Sequence, residues 1–265
     1  MTLLTLFQGP STMTVPPPIP NPGPTPGTPL LEIIQNVCLT VGVALPTTVF
    51  GSLQANRTMQ EMIKLANEMA RRIAYDNREW TKLRKEQVYY GDGTTTAFYL
   101  PSDYKRMLLT SSVWGANTQT PMRFVPDTDE WLQRRAAGDA DSSGEWTMLG
   151  GQMHIHPALA YGATARYAYL DKNCIVRASD GIFTDRFWSD TDYYRLDSRL
   201  LELGMIWQWK AQKGAPYAED MGTWGDALAL MFAADSPAPI IVGRLPISAN
   251  ARVAYPWPAP SGYIT

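Results

Sequence analysis

Two histidines two positions apart could bind one metal ion, because side chains at positions i and i+2 of a β-strand lie on the same face. They are His154 and His156, the only histidines in the 265-residue chain. A metal site needs further ligands, yet the four residues that follow, 157–160, carry no carboxylate. We therefore expect no metal ion here and interpret both histidines as strand residues that face solvent or a subunit contact.

A group of aspartates could form a calcium site or the paired carboxylates of a hydrolase. Its members are Asp180, Asp185, Asp190, Asp192 and Asp197. Their spacing does not match an EF-hand loop, and the surrounding sequence is rich in loop-forming residues. We expect a solvated acidic loop with one helix cap, and a hydrolase is kept as an alternative.

Other signatures of catalysis are missing from the sequence. It contains no Gly-x-Ser-x-Gly elbow and no Gly-Lys-Ser/Thr phosphate loop. The two cysteines, Cys38 and Cys174, lie outside any recognisable catalytic motif. The sequence thus predicts a protein that binds other molecules, with no catalytic residue, no metal and no cofactor.

Aromatic and basic side chains are the candidate binding residues. Aromatic residues at helical spacing near the C-terminal third could stack on sugars, but they favour core or subunit-interface packing. One basic concentration near residues 71–85 could face DNA phosphates or an acidic partner, and a solvated helix end is the alternative. The predicted interface residues are Arg71, Arg72, Arg78, Trp207, Trp209, Tyr217, Trp224, Arg244, Arg252 and Trp257.

Composition excludes two classes of protein. A net charge of −2 is wrong for a strongly basic nucleic-acid clamp, and 45% hydrophobic residues are too many for a charged disordered chain. No segment has the length and apolarity of a membrane span, and the start does not read as a signal peptide. Two cysteines form no disulfide framework, so we expect a reducing compartment.

Prolines are concentrated at the two ends of the chain, and residues 1–29 contain no Asp, Glu, Lys or Arg. Such a segment cannot build a core and favours extended polyproline-like chain. We expect two arms, 1–29 and 236–265, that lie on neighbouring surfaces, with a disordered tail as the alternative for the first.

Hydrophobic periodicity predicts four main helices. Thr28, Pro29 and Gly42 are start and stop signals for the first, and Thr58 with Glu61 suggests a capping box for the second. The predicted helices cover residues 30–41, 58–75, 197–212 and 216–234, the last two forming an antiparallel pair. A shorter helix follows Asp127, which can cap it.

Between these helices the apolar period changes to two, which is typical of β-strands. Residues 87–90 and 94–100 read as a hairpin around Gly91-Asp92-Gly93, and 145–149 with 152–156 read as a second hairpin around Gly150-Gly151. Further strands are predicted over 107–114 and 164–170. We therefore predict an α+β fold, in which an antiparallel helical bundle (30–86 and 195–235) carries an inserted antiparallel β domain (87–194).

The last helix pair carries a pattern spread over many positions. It comprises Leu196-Asp197, Leu200-Leu201, Leu203-Gly204, Trp207, Lys210-Ala211-Gln212-Lys213-Gly214 and Tyr217-Ala218-Glu219-Asp220. The helices at 30–42 and 58–76, the segment Pro101-Ser102-Asp103-Tyr104 and the strand at 152–157 fit the same pattern. Over about residues 30–235 the chain resembles bacteriophage head-to-tail adaptor proteins, the connectors of short-tailed and related phages. The two arms depart from that pattern.

This resemblance implies a virion structural protein that is made in the host cytoplasm and lies at the head–tail junction. It would assemble as a ring, usually of twelve copies, on the portal protein, extend the DNA channel and hold a tail, nozzle or tail-tube protein. Helices 58–76 and 197–234 would build the ring, and the arms would dock to portal, tail or adjacent copies. Viral DNA would pass without specific binding, which suits a mildly acidic chain, and no membrane is involved.

Two other functions remain open. A receptor- or carbohydrate-binding tail component would use the aromatic β region and would bind glycans as an isolated protein. A hydrolase would use the aspartates at 180–197 and would lose activity in Asp185→Asn or Asp190→Asn.

Overall fold

A computed structural model of the chain describes residues 27–51, 56–76, 78–116, 119–138 and 140–235. The predicted arm 236–265, with Arg244, Arg252 and Trp257, lies outside the described residues, as do residues 1–26 of the other arm.

Within these residues the chain forms five α-helices and eleven short strands. The helices are α1 (Leu30–Val41), α2 (Arg57–Tyr75), α3 (Thr128–Ala137), α4 (Ser198–Gln212) and α5 (Ala218–Ala234). The strands are β1 (Arg84–Tyr90), β2 (Ala97–Tyr99), β3 (Tyr104–Met107), β4 (Trp114–Gly115), β5 (Arg123–Phe124), β6 (Glu145–Leu149), β7 (Gln152–His156), β8 (Thr164–Asp171), β9 (Ile175–Val176), β10 (Phe183–Thr184) and β11 (Tyr193–Tyr194).

Helix α1 has the predicted bounds, because Gly42 takes the left-handed conformation, with φ 73°, that ends a helix. Thr28 does not cap it; its hydroxyl hydrogen-bonds the Ser198 hydroxyl at 3.2 Å. The predicted capping box of α2 is also wrong. Asn56 caps that helix and its side chain accepts from the Thr58 N–H at 3.0 Å.

The strands form three sheets. In the first, β8 pairs with β1 on one side and with β3 and β4 on the other. The second has the order β2-β7-β6-β5, and the third has the order β10-β9-β11. The β6–β7 hairpin is confirmed, since Gly150 and Gly151 both have positive φ, as a primed two-residue turn requires.

The other predicted hairpin is wrong. Strand β1 pairs with β8, whereas β2 pairs with β7 of a different sheet. The segment between β1 and β2 is stabilised by the loop before β8, because the N–H groups of Gly91 and Gly93 donate to the carbonyls of Ala163 and Leu159 at 2.8 and 2.9 Å. The strand predicted over 107–114 is also wrong; the chain forms β3 before it and β4 at its end.

The predicted antiparallel helical bundle with an inserted antiparallel β domain is wrong. The protein is a mixed α+β fold, in which sheets and helices share a core and the second sheet includes a parallel pair, β5 with β6. The segment 187–194 packs directly on the first two helices. Tyr194 donates its hydroxyl hydrogen to the carbonyl of Ala70, and the Leu30 N–H donates to Asp192. Hydrophobic periodicity shows which side of an element is apolar but not which other element covers that side. The core shared by sheets and helices was therefore not predicted.

Two hydrophobic cores meet at β8. Ala165, Tyr167 and Tyr169 of this strand lie in the core of the sheets, whereas Leu170 lies in the core formed with α1, α2 and α4. Successive strand residues point to opposite faces, so one strand supplies both cores. Among the described residues, no helix combines the length and the apolar run that a bilayer crossing requires.

Candidate functional site

A cluster of charged side chains joins the sheets to the helices. Asp171, at the end of β8, has a fully buried side chain. It accepts from Lys85 of β1 at 2.9 Å and from Arg195, just before α4, at 2.8 Å. Lys85 also binds Asp103, which in turn accepts from the Tyr169 hydroxyl at 2.9 Å.

Each charge of this cluster is balanced by another. Burial opposes ionisation of Asp103, but hydrogen bonds from Lys85 and Tyr169 outweigh it and hold the pKa of that carboxyl below its ordinary value. Burial likewise opposes the charge on Lys85, yet its bonds to Asp103 and Asp171 raise the pKa of the ammonium. Two carboxylates and two cations thus neutralise one another, and the cluster acts as a structural joint.

Sequence reasoning missed this cluster. Its members come from four separate stretches of the chain; Lys85 lay in the basic concentration and Asp103 in the segment 101–104 of the resemblance, but nothing in the sequence joined them. One signal was present: Asp171 directly follows the apolar run of a predicted strand, a position where a carboxylate needs a partner.

The aspartates between 180 and 197 are each used for a different local bond. Asp180 pairs with Arg177, and Asp185 lies 3.8 Å from Arg71. Asp197 caps α4 by accepting from the Leu200 N–H at 2.9 Å, which confirms the predicted helix cap.

The two remaining aspartates, Asp190 and Asp192, accept hydrogen bonds from backbone N–H groups. Asp190 accepts from the N–H groups of Val49 and Phe50 at 3.0 and 3.1 Å, and so ties the loop after α1 to this segment. Asp192 is fully buried and accepts from Trp188 and Ser189 N–H at 2.7 and 2.9 Å. Both carboxylates thus accept structural hydrogen bonds from backbone N–H groups.

The histidines share one face of β7, as the spacing predicts, and both are half-buried. The β6–β7 pairing places His156 opposite Glu145, as the predicted hairpin implies, although the sequence analysis did not consider this carboxylate as a partner. Glu145 is fully buried and is bound by Arg134, whose Nε lies 2.9 Å away. In the described part of the chain, no three His, Cys, Asp or Glu side chains are grouped so that they could hold a metal ion.

The cysteine thiols are buried and free. Burial raises the pKa of Cys38, and burial raises the pKa of Cys174 to about 11. Both thiols are therefore protonated at neutral pH, and neither is suited to act as a nucleophile.

The three predicted basic interface residues of α2 and its exit do not form one patch. Arg71 lies beside Asp185, Arg72 stacks over Trp207 at 5.8 Å, and Arg78 lies 3.7 Å from Asp235. Each of the three thus has its own intramolecular partner.

The predicted aromatic interface residues pack α4 against α5. Trp207 lies 5.8 Å from Trp224 and 6.4 Å from Tyr217, between ring centroids. Trp209 is buried and Lys213 lies 4.5 Å above its ring. The structure thus places these side chains in or against the core, although Tyr217 remains partly exposed.

Large aromatic side chains are instead exposed at one end of the first sheet. Tyr90 is 72% exposed at the end of β1, and Tyr161 is 90% exposed in the loop before β8. Gly162 donates to the Gly91 carbonyl at 3.0 Å, which keeps the two loops side by side. We name this surface, formed by Tyr90, Tyr161 and loops 91–96 and 157–163, the tyrosine tip.

The tyrosine tip is the best candidate for a binding surface among the described residues. Exposed aromatic side chains on ordered loops are enriched in protein interfaces and also stack on sugars. No protein-family model matches the chain, and no curated protein matches its sequence, so the binding surface is inferred from the structure.

Proposed function

We propose that the protein is a virion structural protein, a head-to-tail adaptor that forms a ring on the portal, extends the DNA channel and holds the tail. The proposal begins from the resemblance of the pattern over residues 30–235, which includes the α4–α5 pair. The observation that supports it further is the tyrosine tip, where two exposed aromatic side chains lie on ordered loops, a residue type that is enriched in protein interfaces.

The structural use of the charged residues also supports a binding role. The buried network around Asp171 and the aspartates at 180–197 stabilise the fold, and both thiols are protonated at neutral pH. An adaptor needs a rigid body and contact surfaces, and these are the features that the side chains provide.

The test is to mix the full-length protein with portal rings of the same virus and to measure the mass and shape of the product. We expect a discrete ring-on-ring complex with one copy per portal subunit or a simple multiple. Absence of binding by a folded protein would overturn the portal-docking proposal. A chain truncated after Asp235 is the matching variant: it should stay folded but assemble less well.

A second candidate, a receptor- or carbohydrate-binding tail component, is favoured by the same tyrosine tip. The two functions differ in what the isolated protein binds. An array of cell-surface glycans should leave the isolated protein unbound if it is an adaptor. Retention on a defined glycan that is lost in Tyr161→Ala would favour the second candidate.

A further inference from the structure

Three arginines line one open cavity of about 320 Å³ beside the exit of α2. Arg78 follows α2, Arg84 begins β1 and Arg106 lies on β3, so the fold brings them together from different elements. We name this surface the arginine pocket. Its lining also includes Tyr75, Asp76, Glu79 and Leu109.

Glu79 holds two of the three guanidinium groups in place. Its carboxylate accepts from Arg106 and from the Leu109 N–H, the latter at 2.9 Å. Its main-chain carbonyl accepts from Nε and Nη2 of Arg84 at 3.2 and 2.9 Å. The side chain of Glu79 is itself only 14% exposed. The guanidinium groups are therefore oriented before a ligand arrives, which lowers the conformational entropy lost on binding.

The three arginines differ in how their charge is balanced. Arg106 is paired with the Glu79 carboxylate, and Arg78 lies 3.7 Å from the carboxylate of Asp235. Among the described residues, Arg84 instead bonds only to a neutral carbonyl and has no carboxylate partner, although it is exposed. A guanidinium carries more N–H donors than these two bonds use, so Arg84 can still bind an oxyanion.

The rim of the arginine pocket favours a protein ligand over a nucleic acid. Leu109 is 84% exposed there, and an apolar neighbour of an acidic residue could pack on it. The exposed carboxylate of Asp76 also lines the pocket. A run of DNA phosphates would be repelled by Asp76 and Glu79, whereas a single carboxylate needs only the unpaired charge of Arg84.

Strand β1 links the arginine pocket to the tyrosine tip. Arg84 and Tyr90 stand at its two ends, both exposed, and their even spacing places them on the same face about 20 Å apart. A second open cavity, of about 410 Å³, lies beside this strand and is lined by Glu86 and Trp114. Thr110 lines both cavities, so the surface is continuous and one partner can contact both ends.

We propose that the arginine pocket receives a carboxylate side chain of the protein that binds the tyrosine tip. The carboxylate pairs with Arg84, and an apolar residue next to it packs on Leu109. Arginine and carboxylate pair through two parallel hydrogen bonds, which fixes orientation as well as charge. The inference rests on the proposed function for the identity of this partner, the portal or the tail protein.

The test compares the affinity of full-length variants for portal rings and for the tail protein of the same virus. Arg84→Glu should weaken binding to one of the two by about tenfold or more, because it places like charges together. Arg199→Glu is the matched control, since it makes the same charge change at an exposed position of α4 outside the pocket. Leu109→Ala should weaken the same binding by about fivefold or more. This second variant removes an exposed side chain and leaves the bonds of Arg84 intact, so it should fold normally.

The natural protein separates the two proposals. If it binds the portal or the tail protein and neither Arg84→Glu nor Leu109→Ala binds more weakly than Arg199→Glu, the arginine pocket has no such role and the proposed function stands. If the natural protein binds neither, the proposed function fails and this inference falls with it. Labelled duplex DNA is the third probe. Binding of this DNA that is lost in Arg84→Glu but kept in Arg199→Glu would assign the pocket to phosphates and overturn the inference.

Discussion

Asp171 is the residue on which the contact between sheets and helices most depends. Its buried carboxylate is bound by Lys85 from β1 and by Arg195 from the start of the C-terminal helices. Loss of the Asp171 carboxylate leaves two cations, Lys85 and Arg195, without their shared anion at a poorly hydrated position. Removing one partner of a buried ion pair is much more costly than removing an exposed pair.

We predict that Asp171→Asn lowers the free energy of unfolding by about 3–5 kcal/mol. Asp180→Asn is the matched control, because Asp180 pairs with Arg177 at the exposed surface and its loss should leave stability nearly unchanged. Urea denaturation of both variants measures the difference. Equal stabilities of the two variants would contradict the structural role of Asp171.

The ionisation of Asp103 should make the free energy of unfolding depend on pH. Because the pKa of its carboxyl is lowered in the folded protein, ionised Asp103 stabilises the fold at pH values above its unfolded pKa, about 3.9. This contribution is lost as the pH falls through the lower folded pKa. Asp103→Asn should therefore be less stable than the natural protein at pH 7, and the gap should narrow below about pH 4. A gap that stays constant from pH 7 to pH 2 would show that the charge is not involved.

Gly204 sets the closest approach of α2 and α4. An added Cβ would lie 2.6 Å from Cγ and 2.7 Å from Sδ of the buried Met69. We predict that Gly204→Ala destabilises the protein by about 1–3 kcal/mol, despite the better helix propensity of alanine. Combining it with Met69→Ala should give less than the sum of the two single losses, as a double-mutant cycle measured by urea denaturation would report.

At the scale of the elements, the tyrosine tip is a rigid pair of loops. Gly91 fits only as glycine, since an added Cβ would lie 2.3 Å from the Ala160 carbonyl oxygen. The Asp92 carboxylate accepts from the N–H groups of Thr94 and Thr95 at 2.8 and 2.7 Å, which fixes the turn. Loops held in this way present Tyr90 and Tyr161 with little loss of conformational freedom on binding.

We predict that Tyr90→Ala combined with Tyr161→Ala weakens binding to the portal or the tail protein by about tenfold or more, because buried aromatic anchors dominate interface energies. Stability should not change, since both side chains are exposed in the free protein. Tyr99→Ala is the control, an equally exposed tyrosine at the end of β2. Titration by light scattering or calorimetry measures the affinities, and unchanged binding of the double variant would remove the tip from the interface.

At the scale of the whole molecule, β8 makes the two cores dependent on each other. Tyr167 and Tyr169 fill one core while Leu170 fills the other. The Asp171 network closes the same junction on its polar side. Neither core keeps its full set of contacts once this strand is displaced, so the described residues should unfold as one cooperative unit.

We predict that Leu170→Ala lowers the free energy of unfolding by about 2–5 kcal/mol. Amide hydrogen exchange should accelerate by a similar factor in α2 and in the β6–β7 hairpin, although Leu170 lies in the core of only the first. Faster exchange confined to α2 would show instead that the two cores open independently.

Local features of this protein follow from the sequence alone. Gly42 ends α1, Asp197 caps α4, and Gly150-Gly151 turns the β6–β7 hairpin, because each of these depends on residues a few positions apart. The helical spacing of Trp207 and Trp224 left core and subunit-interface packing open, and the tertiary structure packs the two rings against each other between α4 and α5. Only the tertiary structure decided three other features. They are the pairing of β1 with β8 and of β2 with β7, the ion network around Asp171, and the packing of segment 187–194 on α2. These contacts join residues that are far apart along the chain, and they are selected by mutual burial and charge balance, which no local pattern records.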